Sequence, residues 1–190
     1  LTLSLEDAAA KVPEALAAKM RQVASANDDV FGEMHAASSP KPAAGQGNLW
    51  SNAYGGGARV GYGNTLMHRY RQTRRDAYRD AMLAEAEKYR DQQVDLRSAV
   101  WPGTVGDAVL LMLNAHELTA DACYLDAADR FARRAIELFL DDDCPLPKAS
   151  HLHNHYEAVT NGDTLMLAML KLWLRQNKPA MKIDLIDYDR

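Results

Sequence analysis

The densest run of groups able to do chemistry is His151-Leu152-His153-Asn154-His155, followed at once by Tyr156 and Glu157. Alternate residues of an extended stretch share a face, so His151, His153 and His155 are candidate ligands of one metal ion, zinc before any other. Three imidazoles would leave a fourth position for water, which suits hydrolysis. The rival reading is that these are loop histidines holding hydrogen bonds. Asp141-Asp142-Asp143, just before Pro145, is a candidate calcium site and equally an ordinary solvated turn.

Two earlier stretches carry further useful types: Asn48, Trp50, Asn52, Tyr54, Arg59 and Tyr62 in the first, Arg97 and Trp101 in the second, with Lys148 ahead of the histidines. Elimination across a uronate needs a group to neutralise the carboxylate, a base for the adjacent proton and an acid for the leaving oxygen. Asn52, Arg59, His153, His155, Tyr54 and Tyr156 are the matching candidates. Trp50 and Trp101 are expected as sugar-stacking platforms, with core packing as the alternative, and Tyr62, Asn48 and Lys148 complete the expected substrate-binding set. Asp107 and Asp163 are of the right type for the acid and base of a glycosidase, although a capping role explains them as well. Gly55-Gly56-Gly57 lacks the Lys-Ser/Thr that follows a phosphate loop.

These groups must be positioned by helices. Three segments share one layout, in which a loop leads into Gly63-Asn64-Thr65-Leu66-Met67, Gly106-Asp107-Ala108-Val109-Leu110 or Gly162-Asp163-Thr164-Leu165-Met166. The short side chains of Asn64, Asp107 and Asp163 are expected to cap the first turn of a helix in each copy. A second register agrees, because Thr73, Tyr78, Asp80 and Ala81 recur 46 residues later as Thr119, Tyr124, Asp126 and Ala127. Tyr124, Ala127, Ala128, Phe131, Ala132, Ala135 and Phe139 then form the buried stripe of a second helix. The expected fold class is therefore all-α, built from repeated helical hairpins that stack as a solenoid or toroid. If the first helices of the copies run parallel, their preceding loops meet at one mouth, where three positive helix ends favour an anionic ligand.

Upstream, Val12, Leu16, Met20 and Val23 recur at helical spacing with Pro13 at a first turn or break, predicting a helix that ends near Ser25. Residues 1–35 read as an N-terminal helical segment, 36–51 as a linker or long loop and 52–190 as the hairpin region, within one domain overall. The second helix of the third copy is expected to be cut short by Pro179, and Ile183 to Arg190 alternates apolar and acidic residues as a short strand or extended end would.

The 190 residues are 47% hydrophobic and 25% charged, with a formal net charge of −4 and no basic stripe, which argues against nucleic acid as a partner. No apolar run approaches the roughly 20 residues of a membrane span. The chain opens on Leu1 rather than Met, so a leader peptide ahead of it is conceivable. Cys123 and Cys144 make no disulfide framework, Cys123 reading as a small buried apolar residue.

The stretches GNLWSNAYGGGARVGYGN, ELTADACYLDAADRFARRAIELF and HYEAVTNGDTLMLAMLKLWL together resemble the C-terminal half of α/α-toroid carbohydrate-active enzymes, the six-hairpin glycosidases and toroid polysaccharide lyases. LTADACYLDAA is similar to their TGD-x-x-YL-x-A hairpin turn, with Ala120 at the usual Gly. The resemblance implies a partial toroid completed by an N-terminal half or by a second chain in a homo-oligomer. It also implies an anionic polysaccharide or oligosaccharide as partner and a periplasmic or secreted setting. The expected activity is lyase, ahead of glycoside hydrolase; a non-catalytic helical-repeat module binding a glycan or protein is the reading from a different class.

Overall fold

The computed structural model describes residues 2–37, 49–50 and 60–181. Among them lie α1 (Thr2–Ala9), α2 (Glu14–Ala37), α3 (Gly61–Thr73), α4 (Asp76–Arg90), α5 (Pro102–Thr119), α6 (Ala122–Phe139) and α7 (Gly162–Asn177), with one 3-10 turn at Ala158–Thr160. No strand occurs among the described residues, only two isolated bridges, Asp141 to Cys144 and Ser150 to His153.

One turn is used twice to reverse the chain. The Thr73 hydroxyl donates to the Arg69 carbonyl at 2.9 Å and accepts from the Arg75 N–H at 3.3 Å. Thr119 repeats this with Ala115 at 2.8 Å and Asp121 at 3.2 Å. Between donor and acceptor sits a left-handed residue, Arg74 at φ 58° or Ala120 at φ 57°, that closes the finished helix. The residue after it is extended and opens the next helix; Asp121 also caps that helix by accepting from the Cys123 N–H at 3.0 Å. The 46-residue register of the sequence is thus the repeat of a hairpin turn.

The hairpins α3–α4 and α5–α6 stack in two layers. Odd-numbered helices pack on one another and even-numbered helices on one another. A third hairpin, α1–α2, precedes them, so the repeat extends one unit further toward the N-terminus than the sequence pattern indicated. Pro13 does break the helical run, but α2 continues through Ala37 rather than ending near Ser25. Leu49 and Trp50, assigned from sequence to a linker and a rim, belong to the core.

Within the odd-numbered layer the helices are parallel. Asn64 donates to the Asp107 carbonyl at 3.0 Å, and two turns further on Arg71 donates to Asn114 at 3.1 Å, both across 43 residues. The Asn114 amide in turn donates to Asn64 at 3.0 Å, joining the buried side chains of α3 and α5 into one polar ladder. α7 follows α5 in the same sense: a Cβ at Gly103 would lie 2.6 Å from the Asn161 Cβ, and one at Gly106 would lie 2.7 Å from the Leu165 Cα.

This overturns the capping expectation for Asn64 and Asp107, which lie in the second turns of α3 and α5, past the helix start. Asp163, the second residue of α7, does accept a first-turn N–H, that of Thr164 at 2.9 Å. Gly63 and Gly106 are glycines because neighbouring helices touch there, Gly162 meets Pro147 of the segment before α7, and Asn64 is the rung of an interhelical ladder.

In the even-numbered layer a tyrosine clamps each unit to the one before. Tyr78 donates to Asp28 of α2 at 2.6 Å, and Tyr124 donates to Glu87 of α4. Asp28 is also held bidentately by Arg69 of α3 at 2.6 and 2.8 Å. Burial would raise the Asp28 carboxyl, but the hydrogen bonds from Arg69 and Tyr78 and the charges of Arg69 and Arg75 outweigh it and hold it below the ordinary carboxylate range. The same burial and the Asp28 hydrogen bond push the Tyr78 phenol up to about 12.

Because the folded Asp28 carboxyl takes up its proton at lower pH than the unfolded one, near 3.9, its contribution is complete above that value and fades as pH falls through the folded one. Asp28→Ala, which leaves buried Arg69 only the longer contact to Glu6 at 3.5 Å as an ion pair, should cost about 3–5 kcal/mol at neutral pH and flatten the acid limb of stability. Denaturant melts at several pH values measure both, and an unchanged melt would remove Asp28 from this role.

Candidate functional site

Parallel α3, α5 and α7 begin at the same end of the array, so Val60 and the segments leading into α5 and α7 gather there. Val60, Trp101 and Asn161 precede the three helices, and none supplies a side-chain cap to the first turn. Three positive dipole ends therefore share one face, where the first turn of α5 is buried and the Thr164 N–H of α7 is taken by the Asp163 carboxylate at 2.9 Å.

The segment between α6 and α7 folds over this end through its own hydrogen bonds. Lys148 N–H donates to Phe139 O at 2.8 Å and Ala149 N–H to His155 O at 2.6 Å. Pro147 packs against Gly162, where an added Cβ would lie 3.2 Å from it. The segment is tied to the loop before α5, because the Val100 N–H donates to His151 Nδ1 at 3.3 Å.

Each imidazole has its own partner. His153 Nδ1 pairs with the buried Ser150 hydroxyl at 2.8 Å, and His155 Nε2 pairs with Glu157 at 2.6 Å. The His153 and His155 rings meet edge-on at 6.0 Å. Among the described residues no group of three His, Cys, Asp or Glu is placed to hold a metal ion, so the expected zinc triad is not assembled: the turn at Ser150–His153 interrupts the extended stretch that would have aligned the rings. Asp141 is engaged by the Asp143 N–H at 3.3 Å and by Lys148 at 3.2 Å, which accounts for the acidic run as a turn and for Lys148 as its counter-ion.

Of the remaining expected residues, Tyr156 and Tyr62 are exposed and Trp101 is half-buried at the start of α5. The Tyr62 phenol is raised by burial and by the nearby Glu85 carboxylate. Arg97 pairs with Asp95 on the surface at 2.5 Å. Asp107 receives the Asn64 amide at 3.3 Å, while Asp163 accepts from the Thr164 N–H at 2.9 Å. Asn48, Asn52, Tyr54 and Arg59 lie outside the described residues.

Trp50 is not a platform. It is 2% exposed and edge-packed on Tyr89 at 5.6 Å and Phe131 at 5.2 Å. Tyr89 donates to the adjacent Leu49 carbonyl at 3.3 Å, fastening this short piece into the core between α4 and α6. Cys123 is half-buried, with its thiol raised by burial, and Cys144 is exposed; both are free thiols.

Sequence reasoning missed Ser150 as the group that orients His153, and it did not assign Glu157 to His155. The spacings were visible: serine three residues before one histidine, glutamate two after another. Only the turn makes them neighbours.

No protein-family model, curated protein or solved structure matches the chain.

Because Trp50 fills the core, Trp50→Ala should lower unfolding stability by about 3–5 kcal/mol. Chemical denaturation tests this, since removal of a surface platform would leave stability nearly unchanged.

Proposed function

We propose that the end of the array where α3, α5 and α7 begin binds an anionic polysaccharide, and that the chain cleaves it by β-elimination of a uronate. The single observation that carries this reading is the alignment of three positive helix ends with the exposed His153, His155 and Tyr156 of the segment leading into α7. Backbone N–H groups at helix N-termini bind anions and would lower the cost of the charge that builds on a uronate carboxylate as its neighbouring proton leaves.

The chemistry divides among groups of the right type. His155, oriented by Glu157, is assigned as the base that removes the proton beside the carboxylate. As that electron pair forms the new double bond, the glycosidic C–O bond breaks and Tyr156 supplies the proton to the leaving oxygen. His153 spends Nδ1 on Ser150 and keeps Nε2 for the substrate, with Trp101 and Tyr62 assigned to binding from their residue type. Asn52 and Arg59 are retained as carboxylate neutralisers from their residue type. The hairpin array supports placing the unit within an α/α-toroid, completed by further chain or a second copy.

A non-catalytic glycan-binding module is the second reading, favoured by the imidazoles being tied into the loop's own hydrogen bonds. Incubation with pectate, alginate and heparan-type polymers, followed by ultraviolet absorbance of unsaturated uronates, separates the readings. The lyase assignment predicts absorbance that falls at least about 100-fold in rate for His155→Ala with helical content intact. Reducing ends released without absorbance would indicate a hydrolase, and binding without turnover the module.

A further inference from the structure

A second copy of this chain fits the exposed flank of α2. Leu16, Val23 and Val30 recur every seven residues and are 47%, 51% and 55% exposed. Met20, Asn27 and Met34 interleave with them at the complementary positions, so the six residues trace the apolar seam of a coiled coil along one side of the helix. Met34 is 66% exposed. This seam is not the face that holds α2 in the fold. Ala17, Ala24 and Asp28 point into the protein, and Ser25 and Asp29 meet Arg75, just ahead of α4, on the flank opposite the seam. The seam therefore lies on the flank of α2 turned away from α4.

Charge chooses the occupant and its direction. Lys19 and Glu33 border the same edge of the seam, are both exposed, and have no ion-pair partner among the described residues. They lie one on each side of the middle of the 24-residue helix. A parallel pair would set this edge against Ala17, Ala24 and Phe31, which carry no charge. An antiparallel pair sets it against itself, so that Lys19 meets Glu33 of the partner subunit and Glu33 meets the partner subunit's Lys19. The same register stacks Leu16 on Met34, Met20 on Val30 and Val23 on Asn27 across the interface, and it overlaps the two helices along their whole length.

We propose that α2 forms an isologous, antiparallel interface between two copies of this chain, sealed by Leu16, Val23 and Val30 and directed by two symmetric Lys19–Glu33 pairs. The twofold axis crosses α2 near its middle. Two arrays are thereby joined through their α2 helices, with both candidate sites left uncovered. This inference rests on the α2 surface and not on the proposed activity.

Sedimentation equilibrium of the full chain across a concentration range tests it, with helical content followed by circular dichroism. The expected result is twice the mass of one chain. Lys19→Glu and Glu33→Lys should each raise the dimer dissociation constant roughly tenfold, because each converts both attractive pairs to repulsive ones. The double exchange Lys19→Glu with Glu33→Lys should restore wild-type assembly, and Val23→Glu should give a folded monomer. A monomer at every concentration would overturn the proposal. So would a dimer indifferent to Lys19→Glu, or one lost instead on Trp173→Glu, which would place the contact on α7.

Discussion

The contact on which the structure depends is the approach of α5 to α7 at Gly103 and Gly106. At Gly106 a side chain would meet the Leu165 backbone at 2.7 Å, and at Gly103 the Thr160 carbonyl at 2.9 Å. Backbone cannot step aside as the tip of a side chain can, so any larger residue would force the helices apart. Both glycines lie in the first two turns of α5, and the contact therefore fixes the relative height of the starts of α5 and α7. The Asn64–Asp107 and Arg71–Asn114 bonds carry the same registration to α3. A common edge, along which α3, α5 and α7 begin, follows from this registration.

The even-numbered layer is held by a different force. Its helices are joined by two polar clamps, buried at Asp28 and exposed at Glu87, in which a tyrosine early in α4 or α6 reaches a carboxylate on the preceding even-numbered helix. Asp28 gathers α2, α3 and α4 at one point through Arg69 and Tyr78. Such a cluster is costly to bury and more costly to leave half-made, so it specifies which helix packs where. Close backbone packing sets one layer and satisfied charge sets the other, and the hairpin turns at Arg74 and Ala120 force the two to alternate.

The helical class and the repeat were legible because both are periodic: the Tyr124–Phe139 stripe follows helical spacing, and Thr73, Thr119, Tyr78 and Tyr124 hold equivalent places. The meaning of the Gly-Asn and Gly-Asp pairs was not legible. A short polar residue beside glycine reads the same in a cap as in an interhelical contact, and only the partner helix, 43 residues away for Asn64, distinguishes them. Trp50 misled for a related reason, since it sits among loop-like residues while its ring is claimed by Tyr89 and Phe131 from distant helices. The first hairpin escaped notice because α1 and α2 lack the Gly-Asn marker and join the repeat through Asp28. At the site, residue types were readable and pairings were not, because the Ser150 turn redirects imidazoles that an extended strand would align.

The central claim is that the odd-numbered layer is registered by helix contact at glycine, and matched substitutions at two glycines test it. Gly106 is wedged against α7, whereas Gly32, also within a helix, has nothing within 4 Å of where a Cβ would stand. Measured by chemical denaturation, Gly32→Ala should gain up to about 1 kcal/mol from helix propensity, while Gly106→Ala should lose about 1–3 kcal/mol from overpacking. Opposite signs are the result the account predicts. A gain at Gly106 matching that at Gly32 would contradict it.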